Sequence, residues 1–92
     1  MIGYLEVDCL LYNTHSLKDK RSVLKKTINR IQQSFNVSIS ELDYQDLWQR
    51  TCFGIAHVSS SKVQAERVLQ EVLKQLDTSS ELEISSHHYE WL

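Results

Sequence analysis

The chain writes the same three-element pattern twice in 92 residues, with no proline and only two glycines to interrupt it. Residues 2–12 alternate: Gly3, Leu5, Val7, Cys9 and Leu11 fall on one face, and Ile2, Tyr4, Glu6, Asp8, Leu10 and Tyr12 on the other. A period of two with one clean apolar face specifies a half-buried strand. Leu17, Leu24, Ile28, Ile31 and Phe35 then recur at helical spacing, so residues 17–35 read as an amphipathic helix. Ser16 followed by Asp19 offers an approximate capping box at its start. Val37 and Ile39, alternating with Ser38 and Ser40, mark a second strand over about 36–42.

The second half repeats this order. Thr51 to Val58 is apolar almost throughout, apart from His57, as a central strand requires. Ser61 with Gln64 forms a capping box before a helix over about 61–77, carried by Ala65, Val68, Leu69, Val72, Leu73 and Leu76. After a polar connection, Leu82 and Ile84 begin a last strand that runs into His88 or Tyr89. The order β-α-β-β-α-β predicts one domain over 1–92, an α+β ferredoxin-like fold. Its four-stranded antiparallel sheet carries two helices on one face. Right-handed crossovers place the first and third strands in the middle.

Such an architecture leaves one sheet face open. Tyr4, Glu6, Asp8, Leu10 and Tyr12 belong to it. From strand three either Phe53, Ile55 and His57 or Cys52, Gly54, Ala56 and Val58 join them. The first set is the expected one, because small residues on the other side let helices approach. Base stacking on Tyr4, Tyr12 or Phe53 is disfavoured, since strand three lacks the basic-Gly-aromatic signature and Glu6 and Asp8 repel phosphate. A face that is apolar in places and rimmed with acid suits self-association better.

Net charge is −2, but it is unevenly placed. Between 18 and 30 lie Lys18, Lys20, Arg21, Lys25, Lys26 and Arg30 against one acid, Asp19: a local +5 that leaves −7 elsewhere. Lys18, Arg21, Lys25, Lys26 and Arg30 spread over about half the helix circumference. They are the candidate nucleic-acid contacts, because phosphate neutralisation needs local rather than net charge. The ordinary alternative is the solvated side of an amphipathic helix.

Catalytic and metal readings find little support. His15, His57, His87 and His88 have no metal-ligand spacing with one another or with Cys9 and Cys52, and adjacent His87 and His88 point to opposite faces of a strand. Both cysteines fall within apolar strands, where free thiols act as small hydrophobes. With Gly3 and Gly54 the only glycines, no phosphate-cradling loop is present. No catalytic residue, metal or cofactor is expected. No signal-peptide pattern or membrane-length apolar run is visible, so the expected compartment is the cytoplasm.

The connection Asp43-Tyr44-Gln45-Asp46-Leu47-Trp48-Gln49-Arg50 is costly for a hairpin. It contains no glycine or proline, and it spends a tryptophan and two carboxylates. Trp48 is expected as a core or covering aromatic, the two acids as acceptors of turn N–H groups, and Arg50 as a partner of Asp43 or Asp46. Gln45-Asp46-Leu47-Trp48-Gln49-Arg50 after Asp43, together with Ser16-Leu17-Lys18-Asp19-Lys20-Arg21, Phe35-Asn36-Val37-Ser38 and the terminal Glu90-Trp91-Leu92, resembles the YlxP-like family over essentially the whole chain. These are small bacterial proteins of unknown function. The resemblance implies a ferredoxin-like fold and a cytoplasmic location. Because some members are encoded among translation factors, it also implies a link to RNA or the ribosome. It supplies no catalytic residues. The expected function is a non-enzymatic RNA- or ribosome-associated factor using the basic first helix. The alternative is a homodimeric protein-interaction module using the open sheet face or the Trp48 loop.

Overall fold

A computed structural model describes residues 1–92. The elements are β1 (Ile2–Leu11), α1 (Leu17–Ser34), β2 (Ser38–Asp43), β3 (Arg50–Val58), α2 (Lys62–Asp77) and β4 (Leu82–Trp91). They form one antiparallel sheet in the order β2-β3-β1-β4, with β1 and β3 central. This is the α+β ferredoxin-like arrangement read from the periodicities. No helix is long and apolar enough to cross a membrane.

Both helices start where their caps dictate. Ser16 Oγ accepts from the Asp19 N–H at 3.0 Å, and Asp19 Oδ2 accepts in return from the His15 N–H at 3.1 Å. Ser61 Oγ accepts from the Gln64 N–H at 3.3 Å, while Ser59 Oγ accepts from Ser61 N–H at 3.1 Å. β4 runs to Trp91, two residues beyond the expected end at Tyr89. Pairing with β1 continues to Gly3 opposite Trp91, and Ile2 and Leu92 exchange two backbone bonds of 2.9 and 2.8 Å.

The core lies between the sheet and the helices. Leu5, Val7, Cys9 and Leu11 of β1 meet Phe53 and Ile55 of β3, Ile31 of α1, and Leu69, Val72 and Leu76 of α2. The expectation for strand three is therefore reversed. The register sets Leu5 opposite Ile55 and Val7 opposite Phe53, and residues directly opposite share a face. Phe53 and Ile55 are fully buried beneath the helices. His57 lies on the same side, its Nδ1–H donating to the Asn36 carbonyl at 2.7 Å. Cys52, Gly54, Ala56 and Val58 belong to the open face with Tyr4, Glu6, Asp8 and Leu10. The small residues make room for neighbours on the sheet rather than for helices. A Cβ on Gly54 would lie 2.5 Å from Leu42 Cδ1 and 3.2 Å from the Tyr4 hydroxyl. Gly3 has the corresponding role on the helix side, where a Cβ would lie 2.8 Å from the Trp91 ring and 2.9 Å from Leu69 Cδ1.

Candidate nucleic-acid interface

α1 turns Val23, Leu24, Thr27 and Ile31 inward and leaves Lys18, Arg21, Lys25, Lys26 and Arg30 exposed. Lys18, Arg21 and Lys25 follow one line at i, i+3 and i+7, and Lys26 and Arg30 lie beside it at i, i+4. Of these five, only Lys26 has an ion pair, with Glu81 at 2.5 Å between two exposed side chains. Lys18, Arg21, Lys25 and Arg30 have no carboxylate within ion-pairing distance.

Lys20, counted with this charge from the sequence, is not part of the surface. Its side chain is 1 % exposed, and its ammonium lies 2.9 Å from Glu41 Oε2 and donates to the Tyr44 carbonyl at 2.5 Å. Thr51 Oγ1 donates to the same Glu41 oxygen at 2.6 Å. A charge can be buried when it is paired and hydrogen-bonded in this way. The helical spacing held the signal, since Lys20 is in line with Leu24, Thr27 and Ile31 on the inward face.

The Lys20 contact locks the Asp43–Arg50 connection against the start of α1. Tyr44 sits at φ 64°, a left-handed conformation uncommon for a bulky side chain. It is over-determined: Asp43 Oδ1 accepts from the Tyr44 N–H at 2.7 Å, Leu47 N–H and Lys20 both donate to its carbonyl, and the Arg50 guanidinium lies 3.9 Å from its ring centroid. Further along, Thr14 Oγ1, itself buried, donates to the Trp48 carbonyl at 2.7 Å, and Leu11 N–H donates to the Gln49 carbonyl at 2.9 Å. Asn13, in the facing turn, also has positive φ, at 60°, which asparagine tolerates.

Two expectations for this connection fail. Trp48 is not a core residue: it is 51 % exposed, with Leu47 and Leu10 beside it, because the backbone bonds hold its main chain against the fold while the indole stays outside the core. Arg50 pairs with neither Asp43 nor Asp46. Its Nε lies 3.3 Å from Asp8 Oδ1, since Leu10, the neighbour of Asp8 on the open face, is the residue opposite Arg50 in the ladder. The acid expected to accept a turn N–H does so in the case of Asp43.

The open sheet face has the opposite charge character. Tyr4 donates to Glu6 Oε1 at 2.7 Å, and His88 lies 3.7 Å from both Glu6 and Glu90. Burial, the Glu6 bond and the surrounding acids push the Tyr4 phenol up to about 12. Cys52, on this face, is held up to about 11 by burial and by Glu6 and Asp8, and Cys9, in the core, to about 12, chiefly by burial. Both thiols are free and protonated at neutral pH, which disfavours them as nucleophiles. His87 faces the helix side with Tyr89, the two rings 5.7 Å apart, whereas His88 faces the open side. Of the aromatics considered for stacking, Phe53 is removed to the core.

Residues 2–89 match the family described as "Protein of unknown function (DUF503)". The chain is also similar to "Uncharacterized protein YlxP" of Bacillus subtilis (strain 168), with 55% identity over 91 residues that cover 99% of each chain. Both matches extend over the strands, the basic helix and the Trp48 connection. The chain belongs to the DUF503 family.

Proposed function

We propose that the protein is a non-enzymatic RNA- or ribosome-associated factor of the cytoplasm, residues 1–92 acting as one domain and α1 as the contact surface. The observation that carries this reading is the set of exposed cations Lys18, Arg21, Lys25 and Arg30, which have no carboxylate partner, with Lys26 alongside. Cations already neutralised within a protein gain little from phosphate, whereas unpaired ones release counterions from a nucleic acid. The acids Glu6, Asp8 and Glu90 lie on the open sheet face and so do not oppose the helix. The four unpaired cations, each contacting a phosphate of single-stranded RNA, give a slope of log K against log salt of roughly −3. Binding of RNA or ribosomes followed across a salt series tests this directly. The double variant Lys25→Glu, Lys26→Glu is expected to weaken binding and flatten the slope, and unchanged association would rule the reading out.

A second reading, a homodimeric protein-interaction module, is favoured by the exposed apolar residues Ile2, Leu10 and Val58 on the open face and by Trp48 at its end. It predicts a dimer that persists in high salt and dissociates on Leu10→Lys. A monomeric mass at high micromolar concentration counts against it.

A further inference from the structure

The two edges of the sheet are not alike. β2 is six residues long, and its pairing with β3 is broken where the register passes over Leu42. A short, bulged edge does not readily accept another strand. β4 is ten residues long. Its one irregularity, at Ser85, lies toward its start, and from Ser86 to Trp91 it pairs with β1 without interruption. That stretch, Ser86-His87-His88-Tyr89-Glu90-Trp91, carries none of the lysine or proline that usually guards an edge. Ile2 and Leu92 exchange two backbone bonds, so alternation along the ladder turns the bonding groups of Glu90, His88 and Ser86 toward β1. The N–H and C=O groups of His87, Tyr89 and Trp91 therefore point out of the sheet, and no loop bonds to them.

We infer that β4 pairs antiparallel with β4 of a second copy of this chain, about a two-fold axis at Tyr89, and joins the two four-stranded sheets into one. The side chains select this occupant. Only outward-pointing residues can exchange bonds, so the possible registers differ by steps of two. With Tyr89 opposite Tyr89 of the second copy, His88 faces Glu90 of the second copy on the open side, and Glu90 faces its His88. Both are complementary imidazole–carboxylate pairs. On the helix side His87 faces Trp91 of the second copy, which extends the row in which the His87, Tyr89 and Trp91 rings already follow one another at 5.7 and 5.9 Å. A slip one way sets His88 against His88, and a slip the other way sets Glu90 against Glu90, a repulsive pair. In the matched register three outward pairs exchange two bonds each, about six in all. The joined sheet ends on two β2 edges, so assembly closes at two copies. α1 packs over β2, away from this joint, so the surface is separate from the basic helix and from the open face.

Analytical ultracentrifugation of the full chain at high micromolar concentration is expected to give a dimeric mass. His87→Pro removes an outward N–H that β1 does not use and sets a ring in the path of the second strand, so a monomer with the parent's circular dichroism is expected. Cross-linking reads the register without relying on that variant. Residues 88 and 90 of opposite copies lie about 4.5 Å apart at Cα in the matched register, within disulfide reach. His88→Cys and Glu90→Cys chains, mixed under mild oxidation, are therefore expected to cross-link to each other, and either chain alone to cross-link about tenfold less. Cross-linking of either chain alone as readily as in the mixture overturns the register and the pairing inferred from it. A dimer that survives His87→Pro and is lost on Leu10→Lys overturns the edge pairing in favour of the open face. A monomer throughout overturns the second copy as occupant, together with the open-face dimer, and leaves the edge to an extended segment of another protein; the α1 reading stands or falls separately, on the salt series.

Discussion

The ammonium of Lys20 and the carboxylate of Glu41 meet at 2.9 Å in a site that leaves the lysine 1 % exposed. This pair joins the first turns of α1 to β2, and through the Tyr44 carbonyl it also joins them to the Trp48 connection. Removing one partner strands the other. Glu41→Ala leaves a buried ammonium with only the Tyr44 carbonyl, and Lys20→Ala leaves a carboxylate with only the Thr51 hydroxyl. Each is expected to lower unfolding free energy by about 3–5 kcal/mol. The paired replacement Lys20→Met, Glu41→Leu removes both charges and is expected to recover most of that loss. Urea unfolding of the three variants at neutral pH measures the coupling, and additive losses would show that the pair does not act as a unit.

The two buried thiols are expected to make the fold labile to alkali. Their folded pKa values, about 12 for Cys9 and about 11 for Cys52, lie above the ordinary 9.0. Above pH 9 the unfolded chain loses these protons first, so stability is fully present below about pH 9 and falls as pH rises toward the folded values. The decline approaches ~1.4 kcal/mol per pH unit for each thiol in that window. Denaturation midpoints at pH 7, 9, 10 and 11 measure it. Cys9→Ala is expected to start less stable and to decline less steeply, and an unchanged slope would remove Cys9 as the cause.

The two glycines differ in what surrounds them, and distance alone ranks them wrongly. A Cβ at Gly54 meets Leu42 at 2.5 Å, closer than the 2.8 Å between a Cβ at Gly3 and Trp91. Leu42 is 48 % exposed and can swing into solvent, whereas the Gly3 site is closed by Trp91 and by fully buried Leu69. Gly3→Ala is expected to cost about 1–3 kcal/mol, and Gly54→Ala less. Chemical unfolding of both, with tryptophan fluorescence as a second signal, checks the order.

Ser16→Ala removes the acceptor for the Asp19 N–H and is expected to cost about 1 kcal/mol. Because α1 begins there, hydrogen exchange should rise first at the amides of the initial turn of α1. Uniform acceleration across the sheet would mean that the cap supports the whole fold rather than the helix end.

Element order, the central position of β1 and β3, and both caps were legible in the sequence because they rest on local information: apolar period, hydroxyl-to-carboxyl spacing and chain connectivity. The inward side of β1 was legible for the same reason, since only one of its faces is apolar throughout. β3 is apolar on both faces, and its own residues leave the choice between them open. The register with β1 decided it, placing Phe53 and Ile55 against the helices. The site divides in the same way. The spacing of cations along α1 is a one-dimensional property, and Lys18, Arg21, Lys25, Lys26 and Arg30 are exposed where that spacing puts them. The burial of Lys20, the pairing of Arg50 with Asp8 and the exposure of Trp48 depend on residues 21, 42 and 34 positions away in the chain. Only folding brings those partners together, so the sequence by itself determined the scaffold and the tertiary structure decided which side chains it presents.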